Sequence, residues 1–196
     1  MNNDKLLGLL GAAVATLAFA ASASATTLTG PNGELKPTPH FASEGHVKTT
    51  TPIGNVECPS TIEYEVTAHG NGGPVEGKVI ALTFGHVSKS CTDSWHATVV
   101  APGKMKIHYK AAGEGTVTSS EMTVTKTRLG ITCNYLTNNT VIGTITDKTK
   151  AGNGLGTIDV SGEIPIHSGS SGLCGGSSKW TGSYSSATAI TLHEKI

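Results

Sequence analysis

The sequence predicts an all-β protein, an antiparallel β-sandwich or barrel. Short runs alternate apolar and polar residues with period two, as in Ile62, Tyr64, Val66 and Ala68 set against Glu63, Glu65 and Thr67. Met105, Ile107 and Tyr109 do the same, and so do Ile158, Val160, Gly162, Ile164 and Ile166. This is the pattern of strands buried on one face. Gly, Pro and Asn punctuate the runs, and the chain is rich in Thr, Ser and Gly, which favour strands and turns over helices. Helical periodicity is absent after the first 25 residues.

From the start of the chain, Met1-Asn-Asn-Asp-Lys5 is followed by an apolar run from Leu6 to Ala21 and then Ser22-Ala-Ser-Ala25. A short polar start, an apolar centre and small residues at the end make residues 1–25 a secretory signal peptide, with cleavage expected before Thr26. The apolar run is shorter than the roughly 20 residues of a helical span. Nothing downstream is long or apolar enough for one, so no membrane span is expected after cleavage and the product is expected to be extracellular. Residues 26–40, with Pro31, Pro37 and Pro39, read as an extended lead-in.

Residues 41–196 form the all-β domain, and they carry an internal echo. Ser43-Glu44, Gly54 and Cys58 recur as Ser120-Glu121, Gly130 and Cys133. A Gly-rich turn, a loop His (His86, His167), a second Cys (Cys91, Cys174) and a Trp (Trp95, Trp180) follow in the same order. Two pseudo-repeated halves, about 41–110 and 118–195, are expected. Two units are too few for a solenoid, so a pseudo-twofold sandwich or paired barrels should result. Four Cys behind an export signal allow three pairings. A duplication in which each unit closes its own bridge selects Cys58–Cys91 and Cys133–Cys174.

Fourteen basic residues balance fourteen acidic ones, which gives no electrostatic ground for binding nucleic acid or an anionic membrane. His40, His46, His69, His86, His96, His108, His167 and His193 are scattered without ligand spacing, so no metal and no cofactor are expected. Glu63, Glu65, Asp159 and Glu163 lie on outward strand phases, where solubility explains them. Gly152-Asn-Gly-Leu-Gly156 lacks a following helix to hold a phosphate and reads as a hairpin turn. Thr116, Thr118, Thr123, Thr125 and Thr127 suggest a row able to order water, or simply solvated strands. Trp95, Trp180, Tyr64, Tyr109 and Tyr184 are candidate stacking platforms for a glycan. Asn138-Asn-Thr140 matches a glycosylation sequon.

One enzymatic reading competes. Ala81-Leu-Thr-Phe-Gly-His86 and Gly169-Ser-Ser-Gly172 resemble the histidine and serine stretches of trypsin-like serine proteases. That resemblance implies His86 as general base, Asp93 or Asp147 as its orienter, and Ser171 as nucleophile. Val87 and Ser170 depart from the pattern, as does the position of Cys174 after the serine.

A second resemblance spans the chain beyond the leader. It rests on Glu44-Gly-His-Val47, the surroundings of Cys58, Leu82-Thr-Phe84 ahead of Cys91, and Gly115-Thr-Val-Thr-Ser-Ser120. It continues through Gly130-Ile-Thr-Cys133, Thr137-Asn-Asn-Thr140 with Ile142-Gly-Thr144, and Leu173-Cys-Gly175 followed by Trp180-Thr-Gly-Ser-Tyr184. In these features the chain resembles a family of small secreted β-rich proteins of high-GC Gram-positive bacteria. The resemblance implies membership, with no activity and no functional residue attached. The expectation is a secreted, non-enzymatic β protein with a binding or structural role at the cell surface or in the extracellular space. Its partner would be a surface polymer or protein. A degenerate serine hydrolase is the alternative.

Overall fold

The computed structural model describes residues 25–34, 40–69, 73–85, 91 and 96–195. In chain order the strands are β1 (Ala25–Gly30), β2 (Gly33–Glu34), β3 (His40–Thr51), β4 (Gly54–Ala68), β5 (Val75–Phe84), β6 (His96–Ala101) and β7 (Lys104–Ala111). There follow β8 (Glu114–Ser120), β9 (Thr123–Arg128), β10 (Ile131–Leu136), β11 (Thr140–Asp147), β12 (Gly156–Pro165), β13 (Ser177–Ser186) and β14 (Thr191–Lys195). One 3-10 turn, Gly172–Cys174, lies between β12 and β13.

Eight strands close a barrel in the order β11-β12-β13-β3-β4-β5-β7-β8. Around the barrel this is chain order, so it is an up-and-down meander in which every neighbour is antiparallel. Closure removes the edges that an open sheet would expose. Two insertions leave the meander: β6 between β5 and β7, and the β9–β10 hairpin between β8 and β11. They pair as a three-stranded sheet, β10-β9-β6, over one end of the barrel. β1, β2 and β14 form a second small sheet, in the order β14-β1-β2, at the other end.

Of sandwich and barrel, the chain takes the barrel. Paired barrels do not form, because β13 hydrogen-bonds β3 and one barrel closes across both halves. The echoed motifs do not occupy equivalent places: Cys58 lies on a barrel strand, while Cys133 lies on β10 in the covering sheet. Both expected disulfides are present, Cys58–Cys91 and Cys133–Cys174. The second ties the covering sheet to the connection between β12 and β13.

Eight strands enclose just enough room for side chains, and here side chains fill it. Tyr64, Trp180 and Tyr184 are all at most 1 % exposed, among Val47, Val56, Ile62, Val79, Ile107, Ile145 and Ile158. Trp180 meets Phe84 and Tyr184 edge-on, at 6.0 and 6.5 Å between ring centroids. Gly77 is needed where it stands, because any Cβ there would overlap the Tyr64 ring. The outward residues of β4, β12 and β13 include Glu63, Asp159, Ser161, Glu163 and Ser183, with Val141 on β11 an exposed apolar exception. Apolar inside and polar outside is the reverse of a lipid-facing barrel. No helix among the described residues is long and apolar enough to cross a membrane.

The segment 26–40, expected as a lead-in, is partly built into the fold. Thr29 and Leu28 of β1 pair with Thr191 and Leu192 of β14, and Leu28 is completely buried. Thr26 is also buried: its N–H donates to Gly73 O at 2.8 Å, and its Oγ1 accepts from Tyr109 N at 2.8 Å.

Candidate functional site

The covering sheet presents the chemically unusual part of the molecule. Residues alternate along β9, so Thr123, Thr125 and Thr127 are half-exposed while Val124 and Lys126 turn inward. Lys126 is thereby carried over the barrel mouth and is 3 % exposed. Its Nζ lies 2.7 Å from Ser178 Oγ on β13 and 5.0 Å from the centroid of the Tyr135 ring on β10. No carboxylate among the described residues pairs with it. Desolvation lowers its pKa from 10.5 to about 7, since a buried ammonium without a counter-charge gives up its proton readily.

Beside Lys126 lies a void of about 10 Å³, walled by Thr49, Phe84, Tyr135, Ser178 and Trp180 among others. That is room for one water-sized sphere. The indole Nε1 of Trp180 is buried and has no hydrogen-bond partner, although indole N–H can only donate. Burial also pushes the Tyr135 phenol above its ordinary pKa. A neutral amine beside a serine hydroxyl is chemically a base beside a nucleophile. At 3 % and 1 % exposure, however, Lys126 and Ser178 meet no substrate-sized space.

Lys126 is absent from the candidates drawn from the sequence. Its signal was present in the alternation, because Met122, Val124 and Lys126 share one phase and that phase is the buried one. The five threonines of the supposed row belong to two different sheets: Thr116 and Thr118 to the barrel, Thr123, Thr125 and Thr127 to β9. They do not line a single strand or sheet.

The serine of the protease-like stretch has a local structural task. Ser171 caps the 3-10 turn, its side chain accepting from Leu173 N. Its neighbour Ser170 accepts from Asn134 N at 2.9 Å and donates to His167 O at 2.8 Å. Together with His167 N to Asn134 O and Ser171 N to Thr132 O, these bonds hold the loop against β10. His86 and Asp93 lie outside the described residues, as does Trp95. Asp147 stands opposite Gly156 at the start of β12, whereas Ser171 lies beyond the end of that strand. Gly156 and Pro165 are nine steps apart, roughly 30 Å along the strand at about 3.3 Å per residue. Asp147 and the Ser171 loop lie toward opposite ends of the strand, so Asp147 cannot orient a base for Ser171.

Asp147 instead fastens the C-terminal strand. Its carboxylate accepts from Thr149 N at 2.8 Å and Leu192 N at 3.2 Å, and also from Thr149 Oγ1. Burial acts to raise its pKa, but the hydrogen bonds from Thr149, Leu192 and Lys150 outweigh burial and hold it below the ordinary Asp value.

Three of the five proposed glycan platforms, Tyr64, Trp180 and Tyr184, are core residues and cannot stack on a sugar. Tyr109 is half-buried. Among the described residues no group of three or more His, Cys, Asp or Glu is placed to hold a metal. Among the described residues the most exposed large apolar side chain is Leu129, 90 % exposed at the tip of the β9–β10 hairpin; Leu173, 60 % exposed, lies in the 3-10 turn.

Comparison with known families, with curated proteins and with solved structures found no match.

Proposed function

We propose that this chain is an exported, non-catalytic β-barrel protein with a binding or structural role at the cell surface or in the extracellular space. The observation that carries this reading is the filled interior: Tyr64, Trp180 and Tyr184 occupy the space where a ligand-carrying barrel of this size would keep a cavity. Any recognition then belongs to the outer wall and the loops. Two closed disulfides suit an oxidising compartment. The signal-like residues 1–25 and the resemblance to small secreted proteins of high-GC Gram-positive bacteria support the same location. Cleavage before Thr26 would keep nearly all of β1, leaving a new amino group beside Gly73 O.

The test is fractionation of producing cells, with mass analysis and a fluorophosphonate probe. The expected product begins at Thr26, carries both bridges, appears in the medium or wall fraction and remains unlabelled. An intact leader in the cytosol, or four free thiols, would defeat the export reading. Stoichiometric labelling of Ser171 would establish the hydrolase instead.

A further inference from the structure

The void at the barrel mouth has an unbalanced set of walls. In its protonated form Lys126 brings a positive charge with three N–H donors, of which one meets Ser178 Oγ at 2.7 Å. Trp180 also lines the void, and its buried Nε1–H has nothing to receive it. Of the remaining wall residues, Tyr135 on β10 is the one that titrates. Thr49 on β3, Phe84 on β5, Ile164 on β12, and Ser178 and Trp180 on β13 carry no charge. The site therefore offers donors and a cation but no anion.

We propose that this void binds a single monatomic anion, chloride in an extracellular medium, held between Lys126 Nζ and Trp180 Nε1 with the Ser178 hydroxyl as a third donor. A spherical anion accepts hydrogen bonds from any direction, which suits donors arriving from different strands. Water would satisfy Trp180 but would leave the buried charge uncompensated. The space of about 10 Å³ is that of one water-sized sphere, so chloride enters with a small outward shift of the walls, and the larger phosphate and sulfate fit less well. Binding and protonation are linked: an anion favours the charged lysine, and the charged lysine favours the anion. Occupancy should therefore be greater at pH 6 than at pH 9.

Thermal unfolding of the mature, disulfide-intact chain in sodium chloride, bromide or gluconate at equal ionic strength tests the site. At pH 6, chloride and bromide should raise the midpoint by about 2–4 °C over gluconate, the shift expected for millimolar binding to a domain of this size. The shift should shrink at pH 9. A bromide-grown crystal should show one anomalous peak within hydrogen-bonding reach of both Lys126 Nζ and Trp180 Nε1. Trp180→Phe, which keeps a ring and loses the N–H, should reduce the halide shift, and Lys126→Met should abolish it. Equal midpoints for the unmutated chain in all three salts would overturn the proposal, as would a void holding only water in the bromide crystal.

Discussion

Lys126 Nζ and Ser178 Oγ lie 2.7 Å apart across the mouth of the barrel, joining residues separated by 52 positions in the chain. The contact clamps the covering sheet to β13. It does so with a charged group that has left water without meeting a carboxylate, and that makes the clamp sensitive to pH.

The pKa of Lys126 falls from 10.5 in the unfolded chain to about 7 in the folded one. Between these values the unfolded chain binds more protons, so stability rises with pH across that window and levels off at its lowest below pH 7. The rise should be on the order of several kcal/mol, at about 1.4 kcal/mol per pKa unit. Urea titrations from pH 6 to 10 in gluconate buffer measure it. Lys126→Met should lack this slope and be the more stable form at pH 6, because an apolar side chain of similar length replaces a lone buried charge. A slope that survives in the variant would assign the effect to another group.

Asp147 has the opposite sign. Its depressed folded pKa contributes stability that is fully present above the unfolded value and is lost as pH falls through the folded one. Asp147→Ala strands the N–H of Leu192 and should cost about 2–3 kcal/mol at pH 7. Below the ordinary carboxylate range the difference from the parent chain should narrow. Hydrogen exchange at Leu192 gives a local readout, and protection unchanged in the variant would contradict the assigned role.

Leu129 and Gly130 form the two-residue turn of the β9–β10 hairpin with φ of 49° and 80°. Such turns favour Asn-Gly, because a branched side chain is strained at positive φ. Leu129 is 90 % exposed and gains no burial in return. Leu129→Asn should therefore stabilise the isolated chain by about 0.5–1 kcal/mol, read as a higher melting midpoint. If the same variant loses retention in the cell-wall fraction, Leu129 is kept for binding rather than for folding.

Gly77→Ala tests how fully the barrel is packed. The new methyl would occupy the space of the Tyr64 ring, whose hydroxyl is directed at Met105 O at 3.4 Å and which is enclosed by core residues. Overpacking of this kind costs about 1–3 kcal/mol. A variant as stable as the parent would show that the interior has slack, and would reopen the possibility of an internal ligand.

Much of the barrel wall was legible in the alternation. Ile62, Tyr64 and Val66 point inward from β4 while Glu63 and Thr67 face out, and the same holds for Ile158, Val160 and Ile164 on β12. The disulfides are those expected from the internal echo, although the echoed Cys58 and Cys133 lie on strands of different sheets. The supposed row of threonines failed because alternation describes one strand and says nothing of which sheet that strand joins. Ser171 and Asp147 were drawn together by order in the chain, yet β12 holds them at opposite ends of the barrel.

Strand type and inward or outward phase are properties of neighbouring residues, and the amino-acid order determined them without help; the order of the cysteines left three pairings open. Which strands meet is a long-range matter. Only the tertiary structure decided that β13 closes on β3, that β9 leaves the wall to cover it, and that Lys126 is consequently buried. A lysine on a strand is ordinarily solvated. Here the packing of one sheet over another removes its water, and that desolvation gives the site its chemistry.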